Sequence, residues 1–143
     1  MSYQIVVGVD GSENAEHALR FALEQADLRN GDGEVTALFA WQFPLIGVPK
    51  AFDQDELEGE AKEFLLKEIA GVQPPESVKI NAVVAQGDAS ASLLHACQRL
   101  NADLLVIGSR GREGFTGLLL GSVGQECAVH SPCSVVIVKP PAN

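Results

Sequence analysis

The chain is poor in the residues that staple, stack or bind polyanions. Its three cysteines, Cys97, Cys127 and Cys133, are odd in number and form no CxxC pair. They argue against a disulfide framework and a zinc site, and read as reduced thiols used mainly in packing. Aromatic residues make up only 6% of the sequence, with a single tryptophan, which leaves few rings to sandwich a flavin. Lys and Arg number 10 against 19 Asp and Glu, a net charge of −9. A nucleic-acid or anionic-membrane surface depends on clustered cations, so neither is an expected partner. No apolar run approaches the roughly 20 residues of a membrane span, and "MSYQIVVGVD" lacks the basic, apolar, small-residue order of a secretory signal. The expectation is a soluble, cytoplasmic protein in which any anionic ligand is held by local groups.

What is present is a core-forming pattern. With 46% hydrophobic and 20% charged residues, 1–143 is read as one domain able to bury a core of its own. Apolar runs of strand length alternate with stretches of helical period, the sequence form of a parallel sheet covered by helices. Five strands are expected: Ile5 to Val9, about Glu34 to Trp41, Val78 to Ala85, Leu104 to Ile107, and Val135 to Val138. Ser12 can cap a helix whose stripe is Ala15, Ala18, Leu19, Ala22, Leu23 and Ala26, ended by Asn30 and Gly31. Asp53 and Glu56 form a capping-box-like pair opening a second helix, through about Ala70. Gly87 and Asp88 lead into a third, with Leu93, Leu94, Cys97 and Leu100 on one face, and a fourth runs from about Ser122 to His130. The apolar stretch 42–52, "QFPLIGVPKAF", fits neither period and reads as a lid or a mobile connection.

The stretch "GSRGREGFTGLLLGS", Gly108 to Ser122, carries the chemistry. In an open parallel sheet, ligands bind beyond the carboxyl ends of the strands where the strand order reverses. Gly108 stands at such an end, Gly111 follows in the same turn, and Gly121 with Ser122 opens the next helix, whose free backbone amides suit an anion. A residue without a side chain permits positive φ and lets phosphate oxygens reach the backbone. Ser122 adds a hydroxyl for a phosphate oxygen or an accompanying metal. The pattern is neither the G-x-G-x-x-G dinucleotide turn nor a P-loop. Ordinary turn geometry is the competing reading.

The spacing Gly108-x-x-Gly111, nine residues, then Gly121-Ser122 resembles the ATP-binding motif of the universal stress protein family. "IVVGVDGSENAEHAL", "ADLLVIGSRG" and "HSPCSVVIVK" are similar to that family's first strand and helix, fourth strand and turn, and closing strand. The resemblance implies an open, doubly wound α/β fold, Rossmann-like or adenine nucleotide alpha hydrolase-like, with five parallel strands in the order 3-2-1-4-5. It also implies the ATP-binding branch, with triphosphate on Gly108, Gly111, Gly121 and Ser122, and Val123 contributing backbone. Val9 and Asp10 then lie beside the adenosine, with Ala40 and Trp41 flanking the adenine. Asp10 reads equally as a turn residue, and Trp41 as a seal on the core.

Arg110 and Arg112 are the local counter-charges for phosphate, with Ser109 as a further donor, although loop arginines commonly face water. His17, His95 and His130 show no ligand spacing and read as structural. No protein-built metal site is visible, so Mg2+ would arrive with the nucleotide. The expected function is an ATP-binding regulatory module of the stress response. The alternatives are a slow ATPase or phosphoryl-transfer protein using Asp10 or Glu113, and a stress scaffold independent of nucleotide. Val135 to Val138 is expected at a sheet edge, and family resemblance implies that it pairs across a homodimer axis. Cys133-Ser134 stands where many relatives have proline after the cysteine, which bears on how this strand begins.

Overall fold

The computed structural model describes residues 2–42, 53–110 and 120–141. Five strands, β1 (Tyr3–Gly8), β2 (Gly33–Trp41), β3 (Lys79–Gln86), β4 (Leu104–Gly108) and β5 (Ser134–Val138), form one parallel sheet in the order β3-β2-β1-β4-β5. Four helices, α1 (Glu13–Asp27), α2 (Gln54–Gly71), α3 (Ala89–Leu100) and α4 (Ser122–His130), connect and cover it.

Strand alternation divides the apolar residues between two cores. Ile5, Val7 and Val9, with Val35, Ala37, Leu104 and Val106, pack under α1 and α2. Val6, Leu38, Leu105 and Ile107 point the other way, under Leu93, Ala96 and Cys97 of α3 and Cys127 of α4. A central strand buried on both faces has to be apolar throughout, hence "IVV" and "LLVI". Each fully buried aliphatic side chain stabilises the fold by about 1.5–3 kcal/mol.

The helix starts follow capping chemistry. Ser12 Oγ accepts the Ala15 amide at 3.0 Å, as the sequence pattern predicts. Asp53 accepts the amide of Asp55, also at 3.0 Å, which is one residue short of its expected box partner Glu56. Asp88 accepts both the Ser90 hydroxyl at 2.7 Å and the Ala91 amide at 3.0 Å. The Ser90 hydroxyl first, then the Ala91 amide, hold the Asp88 carboxyl below its ordinary value. A depressed carboxylate contributes stability above its unfolded value that is lost as pH falls through the folded one. The Tm advantage of wild type over Asp88→Ala is therefore expected to narrow as pH falls below about 5, read by thermal melts; a gap independent of pH contradicts it.

Helix α1 stops at Asp27, earlier than Asn30 and Gly31 suggest. Those two residues, at φ 53° and 88°, instead turn the chain down toward Gly33. There β2 passes so close under α1 that a Cβ on Gly33 would lie 2.6 Å from the Ala26 backbone.

The two sheet edges are treated differently. On β3, the Lys62 ammonium from α2 donates to the Ala82 carbonyl, placing a charge on that edge. On β5, Val135, Val136, Ile137 and Val138 are apolar without exception and half-buried.

Candidate functional site

Strand order reverses between β1 and β4, so the crevice at their carboxyl ends is where this topology admits a ligand. The β1 side is built by Val9, Asp10, Gly11 and Ser12. Val9 is buried, and its amide donates to the Leu38 carbonyl at 2.9 Å. Asp10 Oδ1 accepts the Ser12 amide at 2.9 Å, tightening the turn into α1. Gly11 has φ +85°, a conformation that disfavours any residue with a Cβ.

The β4 side is tied to α1 by a residue that sequence reasoning passed over. Asn14, on the first turn of α1, is buried, and its Nδ2 donates to Ser109 Oγ and to the Arg110 carbonyl, both at 3.1 Å. Its Oδ1 is buried with no hydrogen-bond partner among the described residues. The signal was available, since an asparagine precedes the Ala15, Ala18, Leu19 stripe on the helix face that turns inward. Ser109 is itself buried, and its amide continues the β4–β5 ladder by donating to the Val138 carbonyl at 2.9 Å.

Gly108 is small for a different reason from the one its motif suggests. Its φ is not positive; an added Cβ would lie 3.1 Å from the Asn14 carbonyl group, so the residue lets α1 sit on the end of β4. Gly121 likewise has an extended backbone, φ −73° and ψ 174°. Positive φ, one of the two reasons read from these glycines, is therefore corrected at both, and close backbone approach is what remains.

The Gly121 amide donates to the Ser109 carbonyl at 2.7 Å, which draws the start of α4 against the end of β4. Helices α1, α2 and α3 begin on Ser12, Asp53 and Asp88, each with a side-chain oxygen on a first-turn amide. Helix α4 begins on Gly121 with no side-chain cap. Among the described residues no side chain caps its first amides, which lie at the positive end of the helix dipole. Ser122 is exposed there, whereas Val123 packs against the core between α3 and α4.

The crevice therefore brings together Val9, Asp10, Gly108, Ser109, Arg110, Gly121 and Ser122. Ala40 and Trp41 end β2, one strand away; Ala40 packs on the α3 and α4 side, and alternation sends Trp41 to the opposite face. Gly111, Arg112, Glu113 and residues 43–52 lie outside the described residues. A separate open groove of about 360 Å³ runs beside α3, lined by Leu38, Val83, Asp88, His95 and Arg99 among others, and none of the expected site residues lines it. His17 and His130 each lie 3.9 Å from a glutamate one helical turn earlier, Glu13 and Glu126. Among the described residues, no group of three or more His, Cys, Asp or Glu is placed to hold a metal ion. No helix there is long and apolar enough to cross a membrane.

The sequence profile of the Universal stress protein family matches residues 1–139. The chain belongs to that family. Among curated relatives, Universal stress protein Rv2623 of Mycobacterium tuberculosis is 33% identical over 136 residues, covering 94% of this chain and 44% of its own length. Universal stress protein MJ0531 of Methanocaldococcus jannaschii is 30% identical over 146 residues, covering 96% of this chain and 82% of its own. The chain thus spans under half the length of its mycobacterial relative. Among solved structures, the protein MJ0577 superposes with a TM-score of 0.77 at 24% identity, over 100% of this chain and 99% of that one. A universal stress protein in complex with cAMP gives 0.66 at 23%, over 96% and 97%. An Arabidopsis thaliana family member, At3g01520, with AMP bound gives 0.63 at 20%, over 98% and 93%. At these identities the superpositions establish the shared fold.

Proposed function

We propose that this universal stress protein, with residues 1–143 acting as one domain, binds an adenine nucleotide at the β1/β4 crevice and serves as a regulatory module of the stress response. The observation that carries the reading is the uncapped start of α4, held against the end of β4 by the Gly121–Ser109 hydrogen bond. Solved family members with cAMP or AMP bound support the class of ligand.

ATP is the nucleotide we favour, because the Gly108, Gly111, Gly121, Ser122 pattern is complete. Its phosphates would meet the α4 amides and the Ser122 hydroxyl, with Arg110 and Arg112 as counter-charges and Ser109 beside them. The Val9–Asp10 turn would face the ribose, Ala40 and Trp41 would supply apolar surface, and Val123 would contribute backbone beside the phosphates. The donor set fits an anion: uncapped amides and a hydroxyl, in a crevice whose one carboxylate among the described residues, Asp10, already accepts a backbone amide. Mg2+ arriving with ATP would neutralise phosphate charge in a protein of net charge −9. Calorimetric titration with MgATP at physiological salt is expected to give saturable binding; no heat and no saturation would sink the proposal.

We further propose a homodimer through β5, which would locate the protein's partner surface on the apolar edge rather than on the edge carrying Lys62. Light scattering is expected to give twice the chain mass, and Val136→Lys to halve it. A wild-type monomer mass at all concentrations contradicts this. The cytoplasm is the compartment we assign, on the strength of unpaired cysteines and acidic composition.

A further inference from the structure

Asn14 does something that packing does not require. It is 8% exposed, and every other buried residue of α1 is apolar. Its side-chain amide lies against Gly108, where an added Cβ would come 3.3 Å from the Asn14 Cγ. Nδ2 donates to Ser109 Oγ and to the Arg110 carbonyl, while Oδ1 is buried with no partner among the described residues. The Arg110 carbonyl decides which way this amide faces, because a carbonyl only accepts and Oδ1 could not stand in for Nδ2 beside it. One acceptor is thus left unsatisfied, at a cost to stability, while both donors are turned to the end of β4.

The carbonyls at the two ends of the β4–α4 connection, residues 109, 110, 120 and 121, are all engaged within the protein. That of Ser109 accepts the Gly121 amide at 2.7 Å, and that of Gly121 accepts the Gln125 amide at 3.0 Å. Gln125 Nε2 donates to the Leu120 carbonyl at 2.8 Å. The fourth, on Arg110, is held by Asn14 across 96 residues of sequence. Nδ2 also occupies a lone pair of Ser109 Oγ, which leaves that hydroxyl its proton to donate. Against these engaged acceptors stand the first amides of α4, which no described side chain caps, and the exposed Ser122. An anion at this point meets donors, with the carbonyl oxygens drawn away from it.

We propose that Asn14 is a positioning residue for the phosphate end of the nucleotide, turning the Arg110 carbonyl and Ser109 Oγ toward α1 so that the β4–α4 turn offers donors to an anion. This rests on the nucleotide reading of the crevice. Without Nδ2 the Arg110 carbonyl loses its partner and is free to face the phosphates with the wrong polarity. Adenosine, which would lie on the β1 side beside Val9 and Asp10, is insulated from the change. The effect of Asn14 therefore depends on the ligand's phosphates, whereas a purely structural role would weaken every ligand alike.

The test titrates the full chain with MgATP and, separately, with adenosine, for wild type, Asn14→Ala and Asn14→Asp, with a thermal melt of each. Asn14→Ala removes both donors and keeps a strong helix former. Asn14→Asp keeps the shape and puts acceptor oxygens where the donors were, and decides the matter if the alanine variant does not fold. MgATP affinity is expected to fall about 10-fold in Asn14→Ala and about 100-fold in Asn14→Asp, with adenosine affinity within about 3-fold of wild type in both. Equal losses for the two ligands, in step with a lowered melt, would assign Asn14 to the fold alone and overturn the proposal. Unchanged MgATP affinity in the variants, in a chain whose wild type binds it, overturns the role of Asn14 and leaves the nucleotide reading standing. A wild type that does not bind MgATP overturns both.

Discussion

Gly33→Ala is expected to lower the stability of the fold by about 3 kcal/mol, roughly a 10 °C drop in Tm for a domain of this size. The reason is steric. An added Cβ would lie 2.6 Å from both the Cα and the carbonyl oxygen of Ala26, and no side chain can rotate out of the way. Either α1 lifts from the sheet or β2 shifts its register with β1, where Tyr3 pairs Gly33 and Ile5 pairs Val35. Both would disturb the larger of the two cores, since Ala22, Leu23 and Ala26 of α1 lie against it. Gly59 makes the contrast. It sits within α2 with nothing within 4 Å of an added Cβ, so Gly59→Ala should raise stability by about 0.5–1 kcal/mol through helix propensity alone. Paired melts of the two variants read the difference, and equal behaviour would contradict the packing account.

The second large effect concerns ligand binding. Gly121→Val with Ser122→Ala is expected to weaken MgATP binding at least about 100-fold, near 2.8 kcal/mol at about 1.4 kcal/mol per tenfold. Residue 121 has extended φ and ψ that valine adopts readily, so the new side chain costs little in backbone strain. Its methyl groups would stand in front of the uncapped α4 amides, and the second change removes the exposed hydroxyl beside them. The fold is expected to survive with a loss of about 1 kcal/mol, because valine is a poor residue at a helix start. A binding loss matched by unfolding would point to structure; a binding loss in a protein with a near-native melt points to the site.

Much of the architecture was legible because it follows from local chemistry. A continuous β-branched run marked β1 and a short apolar run marked β4, the Ser12 cap and the Gly87–Asp88 lead marked the starts of α1 and α3, and α4 begins and ends at the residues expected, Ser122 and His130. The strand order came from family resemblance and agrees with the observed β3-β2-β1-β4-β5. What escaped is long-range. Gly108 and Gly33 are small because α1 presses on the ends of two strands, and such an approach leaves no local pattern. Asn14 was hidden for the same reason, since its partners Ser109 and Arg110 meet it only when α1 lies across β4. Caps and strand runs are written in neighbouring residues, whereas close approaches are written in the fold.

The most direct test of nucleotide binding at the α4 start is to denature the purified chain and identify what it releases by chromatography, with Gly121→Val, Ser122→Ala prepared beside it. The expected result is an adenine nucleotide from the wild type, ATP above all, and none from the variant. Equal nucleotide from both, or none from the wild type together with no binding of added MgATP, would contradict the assignment and return Gly108, Gly121 and Ser122 to the geometry of a turn.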